Sequence, residues 1–76
     1  MSTAQPATLE RAREAKQVLL QRLSGLSELR GIGIALLKGG YGVKVNLARA
    51  LDEGVVPDDV DGVPVIVAIV GQIVPL

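Results

Sequence analysis

The chain has no cysteine, no histidine and only one aromatic residue, Tyr41. Without cysteine it has no disulfide bonds, thiol nucleophiles or thiolate metal ligands. Without histidine it also lacks the commonest general base and the imidazole ligands of metal sites. Phe and Trp are absent, and they are the usual stacking platforms for single-stranded nucleic acid. The sequence therefore predicts a protein that is not an enzyme, with no catalytic residues, no cofactor and no metal site.

Long apolar runs are missing as well. The first 17 residues are polar and charged, unlike the apolar centre of a signal peptide. The longest uncharged run, residues 62–76, has 15 residues and is broken by Pro64, Gly71 and Pro75. A membrane-spanning helix needs about 20 apolar residues. We therefore expect a cytoplasmic protein that does not bind a membrane.

What the chain does have is enough apolar material for one small domain. Of its 76 residues 49% are hydrophobic, and the net charge is zero, which excludes a disordered chain. We expect a single domain over residues 1–76, with residues 1–7 as a flexible leader. A core of this size rarely contributes more than about 3–5 kcal/mol. Without disulfides or metals, association with another surface is the remaining means of stabilisation.

Charge is divided unequally along the chain. Residues 1–50 carry eight basic and three acidic side chains, whereas residues 51–76 carry five acidic side chains and no basic one. Two interpretations are open. The acidic loops neutralise the helix of their own domain, or complementary surfaces meet between subunits.

The first element is an amphipathic helix over residues 9–23. Its apolar residues recur on one stripe at helical spacing; they are Leu9, Ala12, Ala15, Leu19, Leu20, Leu23 and Leu26. Thr8 is a suitable N-cap, and Pro6 at the first helical position is the competing start. Gly25 predicts a left-handed cap that ends the helix near Ser24. Leu19 and Leu23 are predicted core residues.

Two alternating segments, residues 29–37 and 41–47, predict a β-hairpin. Gly39 and Gly40 suit the two positive-φ positions of a type I′ turn. With these two glycines as the loop, the predicted apolar pairs are Leu36 with Val43, Ile34 with Val45, and Ile32 with Leu47. A slip by one residue would place apolar side chains opposite polar ones.

A third strand is predicted over residues 63–70, with Pro64 at its start or on a free edge. Residues 47–51 are compatible with one or two helical turns before it. The predicted fold is α+β, with the order α-β-β-β and the helix packed on a three-stranded mixed sheet. The long connection favours strand three parallel to strand one, in the order 2-1-3. A meander is the alternative.

The third strand is apolar on both faces. Val63, Val65, Val67 and Ile69 alternate with Ile66, Ala68 and Val70, and Ile73 adds apolar surface beyond them. One helix can cover only one face of such a sheet. Ile66, Ala68, Val70 and Ile73 are therefore the candidate interface of a homo-oligomer, joined through the last strand. A different protein partner, or a connection that folds back over the strand, would satisfy the same pattern.

Two glycine- or acid-containing motifs carry no chemistry. Gly31 and Gly33 lack the third glycine of a dinucleotide-binding loop, because that position is Leu36. Asp59, Asp61 and Gly62 resemble part of a calcium loop, but the first and twelfth ligand positions would be Pro57 and Ala68. An acidic turn exposed to solvent explains the second motif better.

The alternative function is a nucleic-acid-binding accessory protein that uses the basic helix. Arg11, Arg13, Lys16 and Arg22 lie along it, interleaved with Glu10 and Glu14. Phosphate contact needs a basic surface, and zero net charge with one aromatic residue makes nucleic acid the weaker prediction. The first prediction remains a non-catalytic interaction or assembly module that associates with itself.

Residues 29–70 resemble a segment found near the N-terminus of some trypsin-like peptidase proteins. The matching stretches are Gly31-Ile-Gly-Ile34, Gly42-Val-Lys-Val45, Val56-Pro57 and Val60-Asp-Gly-Val-Pro-Val65. These are glycines, turns and strands, and no catalytic residue of the family has a counterpart here. The resemblance implies a small α+β module.

Overall fold

The computed structural model describes residues 7–70. Its elements are α1 (Leu9–Leu23), β1 (Leu29–Leu37), β2 (Gly40–Leu47), β3 (Asp59–Val60) and β4 (Val63–Ile69). The strands form one mixed sheet in the order β1-β2-β4-β3. The α+β class with a helix on a mixed sheet is therefore confirmed. The sheet has a fourth strand because residues 59–60, predicted as part of a turn, pair with β4, and residues 47–51 form no helix.

The choice between two helix starts is settled in favour of Thr8. Its φ of −69° and ψ of 157° are extended, and its hydroxyl accepts a hydrogen bond from the Arg11 backbone N–H at 3.2 Å. The helix ends at Leu23, as predicted, but Gly25 does not have a positive φ. The left-handed cap is wrong. Instead the Leu26 N–H bonds to the Leu23 carbonyl at 3.0 Å, which satisfies one carbonyl of the last turn.

The hairpin forms with the predicted faces but with different partners. Ile34 lies opposite Val43 and Ile32 opposite Val45, which is two residues away from the predicted register. The loop consists of Lys38 and Gly39, and only Gly39 has a positive φ, at 89°. Gly40 already belongs to β2. Since side chains alternate with a period of two, a shift of two residues leaves each on its predicted face.

This turn makes Gly39 the sensitive glycine of the loop. We expect Gly39→Ala to lower the free energy of unfolding by about 1–2 kcal/mol, because an L-residue is disfavoured at positive φ. An added Cβ would meet nothing within 4 Å, so the effect comes from the backbone alone. Lys38→Ala, at the exposed neighbouring position, should change stability by less than about 0.5 kcal/mol. Equal effects in urea denaturation of the two variants would contradict the observed turn.

The last strand lies beside β2, not beside β1 as predicted. It runs parallel to β2, with Val65 next to Val43 and Ile69 next to Leu47. The residue that permits this pairing is Gly42, because a Cβ there would lie 2.8 Å from the Pro64 carbonyl oxygen. β2 thereby becomes a central strand, and both Val43 and Val45 are fully buried.

The core lies between α1 and one face of the sheet. Its buried residues are Ala12, Ala15, Leu19, Leu23, Val43, Val45, Leu47, Val60 and Val63. Leu19 and Leu23 are thus core residues, as predicted. The helix packs mainly over β1 and β2 and only lightly against β4. As a result Val67 and Ile69, which share the helix side of the sheet with Val65, remain 45% and 52% exposed.

The start of the described chain is attached to the sheet. Ala7 forms an antiparallel bridge with Tyr41, with two backbone hydrogen bonds of 2.8 Å. Ala7 is therefore not part of a flexible leader. Residues 1–6, the rest of the predicted leader, lie outside the described residues.

Candidate functional site

The predicted interface residues of the last strand lie on the face of the sheet that points away from α1. Ile66 is 37% exposed, Val70 is 50% exposed, and Ala68 between them is partly buried. The fourth predicted residue, Ile73, lies outside the described residues. The three described residues are thus brought together on one surface.

Neighbouring strands extend this surface with small side chains. We call it the open face; it consists of Gly31, Gly33, Ala35 and Leu37 of β1, Gly42, Lys44 and Asn46 of β2, Pro64, Ile66 and Ala68 of β4, and Val70 directly after β4. An added Cβ at Gly33 would meet nothing within 4 Å. α1 packs on the opposite side of the sheet. Apart from Lys44 and Asn46, the residues of the open face are apolar or glycine.

Two polar side chains stand in the middle of the open face. Lys44 is exposed and lies next to Ile66 on the adjacent strand. Asn46, two residues further along β2, has a buried Oδ1 with no hydrogen-bond donor among the described residues. A buried acceptor without a donor is unfavourable by about 1–3 kcal/mol. The open face therefore presents one exposed cation, Lys44, while the Oδ1 of Asn46 lies beneath the surface.

The acidic turn, Asp59 to Gly62, has a structural role. The Asp59 carboxylate accepts the Gly62 N–H at 3.1 Å, and Asp61 and Gly62 take positive φ values of 48° and 83°. This hydrogen bond closes the hairpin between β3 and β4. In the part of the chain that the structure describes, no three acidic side chains come together to hold a metal ion.

The basic helix is only partly available to a ligand. The Arg11 guanidinium donates to the Asp61 backbone carbonyl, which connects α1 to the acidic turn. Arg13 and Lys16 flank Ile34 together with Glu14, so their positive field is reduced by a carboxylate. Binding of nucleic acid stays a prediction of the sequence.

Within residues 7–70 the structure contains one ion pair, and neither of its residues belongs to α1 or to the acidic residues 52–61. Arg49 contacts the Glu28 carboxylate at 2.7 Å. A hydrogen bond from the Glu28 backbone holds the pKa of this carboxyl below its usual value. The hydrogen bond and the positive charge of Arg49 lower the pKa further, by smaller amounts. The carboxylates of residues 52–61 form no ion pair with described residues, so the sequence halves do not neutralise each other through salt bridges.

A second concave surface was not predicted from the sequence. It has a volume of about 950 Å³ and lies between the last strand and residues 50–58. We call it the acidic groove; its apolar walls are Leu47, Leu51, Val56, Val67 and Ile69, and its acidic side chains are Asp52, Glu53 and Asp58. Residues 50–58 combine apolar and acidic side chains without a regular period, so the sequence carries no signal that marks a groove. Alternation along the last strand predicts Val67 and Ile69 on the face that the helix covers, whereas both are about half exposed.

No family model matches the chain, and no curated protein or solved structure is detectably similar to it. The resemblance to a segment of trypsin-like peptidase proteins stays a prediction. No helix within residues 7–70 is long and apolar enough to cross a membrane.

Proposed function

We propose that the protein is a non-catalytic interaction module that associates with a second copy of itself through the open face, in the cytoplasm. The observation that carries the proposal is the open face itself: three strands present adjacent apolar or small side chains, and α1 covers only the other side. A contiguous apolar patch of this kind marks an interaction surface. Ile66, Ala68 and Val70 are its most apolar part.

A second copy suits the open face because a two-fold axis brings its two polar side chains together and leaves its apolar residues against each other. Lys44 and Asn46 are two residues apart on the same face of β2. A two-fold axis that crosses β2 near Val45 places Lys44 over Asn46 of the partner subunit, and the reverse. The Lys44 ammonium then lies against the exposed part of the Asn46 side chain, which is half-buried. Burial of Ile66 and Val70 in the dimer adds hydrophobic stabilisation. The domain needs it because its core has only nine buried hydrophobic residues within residues 7–70, and small cores contribute little net stability.

The size of the open face sets the expected strength of association. Three strands about 4.8 Å apart, each about 23 Å long, have a footprint of roughly 330 Å². Stable interfaces bury about 800 Å² on each partner. We therefore expect a concentration-dependent dimer with a Kd in the micromolar range, not a permanent one.

The proposal predicts that Ile66→Glu abolishes association and leaves the fold intact. Lys44 lies beside Ile66 on the neighbouring strand, so the new carboxylate gains a cross-strand ion pair while it places a charge in the apolar interface. Sedimentation velocity between about 10 and 500 μM should show a dimer for the original chain and a monomer for the variant.

Val18→Glu is the matched control. Val18 is 39% exposed, close to the exposure of Ile66, but lies on α1. This variant should dimerise like the original chain. The proposal is overturned if the original chain is monomeric throughout the range, or if both variants dissociate equally. If the chain is monomeric and binds one defined protein in an Ile66-dependent way, the occupant of the open face is that protein and not a second copy.

A further inference from the structure

The acidic groove lies beside a length of β4 whose outer edge forms no backbone hydrogen bond with other residues in the range 7–70. The Val70 N–H bonds to Leu47 and the Val65 N–H bonds to Asp58, each at 2.9 Å. Backbone groups alternate in direction along a strand, so those of Val67 and Ile69 point outward, as those of Val65 do. β3 pairs only with Val63 and Pro64. Among the described residues, Val67 and Ile69 therefore have no backbone partner on this edge.

The side chains beside this edge prefer apolar contacts. Val67 and Ile69 are about half exposed, and both form part of the groove wall. Leu51 and Val56 face them from the connecting segment. An extended segment that pairs with the edge would place alternate side chains into the groove, because strand side chains alternate between the two faces.

The rim of the acidic groove selects for positive charge. Asp52, Glu53 and Asp58 are exposed, no basic residue lines the groove, and none of the three carboxylates forms an ion pair within residues 7–70. All three line the same groove, so their negative charges act together on a segment that enters it. A cationic segment would gain electrostatic attraction.

These observations together describe one kind of ligand. We propose that the acidic groove binds an extended segment of another protein, in which apolar side chains alternate with Lys or Arg, by adding it as a strand to the outer edge of β4. The backbone hydrogen bonds of Val67 and Ile69 supply affinity, the apolar wall takes alternate side chains, and the rim takes the cations. Of the strands of a second copy, β2 contains Val43-Lys44-Val45 but is already paired with β1 and β4, and β1 contains one basic residue, Arg30.

The test uses the whole chain and a fluorescent peptide of sequence Lys-Val-Lys-Val-Lys-Val with blocked ends. We expect saturable binding by anisotropy, weakened by added salt. A Glu-Val-Glu-Val-Glu-Val peptide tests charge. A Lys-Val peptide with N-methyl groups along the backbone edge that would pair tests the hydrogen bonds, and neither control should bind. In ¹⁵N NMR spectra, the amides of Val67 and Ile69 should shift on titration and exchange more slowly with solvent.

Matched variants locate the site. The double variant Asp52→Asn, Glu53→Gln should weaken binding about threefold to tenfold, because two exposed charge contacts are lost. Asp61→Asn removes one charge outside the groove, at a positive φ of 48° that Asn tolerates, and should bind normally. Absence of binding at about 1 mM peptide, equal binding of the acidic peptide, or equal affinity of the double variant would each overturn the proposal.

Failure of this inference is separable from failure of the proposed function. Ile66 points to the open face, whereas Val67 and Ile69 point to the groove. Ile66→Glu should therefore bind the peptide like the original chain. Peptide shifts confined to Lys44, Ile66 and Ala68 would instead place the peptide on the open face and contradict the groove.

Discussion

Replacing Leu19 with alanine should lower the free energy of unfolding by about 3–5 kcal/mol. Leu19 is fully buried and has the largest volume among the fully buried side chains, together with Leu47. It lies on α1 within the cluster that contains Val43 and Val45 of the central strand. The truncation would remove contacts within α1 and to the sheet, and a core of nine buried hydrophobic residues within residues 7–70 has few other contacts to offset the loss.

Because a small domain has about 3–5 kcal/mol of stability, Leu19→Ala is expected to be largely unfolded at 25 °C by circular dichroism. Leu19→Met conserves volume and should remain folded, at a cost below about 1.5 kcal/mol in urea denaturation. Val18→Ala, one residue earlier and exposed, should change stability by less than about 0.5 kcal/mol. A folded Leu19→Ala variant with the midpoint of the original chain would contradict the packing of α1 on the sheet.

Gly42→Val should destabilise the protein by about 3 kcal/mol or more, since overpacking by smaller additions already costs about 1–3 kcal/mol. A Cβ at this position would lie 2.8 Å from the Pro64 carbonyl oxygen and 2.9 Å from Leu37 Cδ1. The first of these atoms belongs to the backbone, so it moves only if β4 moves away from β2. The valine would therefore separate the two strands where their pairing begins.

Gly33→Val is the matched control for this substitution. Gly33 lies on the same open face, in β1, and an added Cβ meets nothing within 4 Å. Its φ is not positive, and valine favours strands, so this variant should be as stable as the original chain or more stable. Similar thermal midpoints for Gly42→Val and the original chain would contradict the observed strand order.

The helix and the faces of the hairpin could be predicted because each depends on local chemistry. Thr8 caps through its own hydroxyl, and the apolar stripe of α1 follows from helical periodicity. Ile32 and Ile34 share a face because alternate residues of a strand always do. None of these inferences needs knowledge of distant residues.

The register of the hairpin depended on a competition that the sequence left open. Lys38-Gly39 and Gly39-Gly40 are both usable two-residue loops, and both preserve the apolar face. The observed loop requires a positive φ only at Gly39 and allows Gly40 to extend β2. The predicted strand order, 2-1-3, was wrong for a related reason. Both faces of the last strand are apolar, so its residue pattern is compatible with a position beside either β1 or β2.

One part of the candidate site could also be predicted from the sequence, and another part could not. Ile66, Ala68 and Val70 could be placed on one face from alternation alone, and the structure brings them together with Lys44 and Asn46. The acidic groove could not be predicted, because it depends on how far α1 reaches across the sheet. Only the packed structure leaves Val67 and Ile69 uncovered beside Asp52.

The sequence by itself determined the class of fold, the position of the helix, the two faces of each long strand and the absence of thiol and imidazole chemistry. These follow from residue types and from periodicities of 3.6 and two, which act over a few residues. The tertiary structure alone decided which strand lies beside β4 and which apolar side chains stay exposed. Those outcomes depend on close approach between residues distant in the chain, as at Gly42 and Pro64, where a Cβ on residue 42 would lie 2.8 Å from the Pro64 carbonyl oxygen.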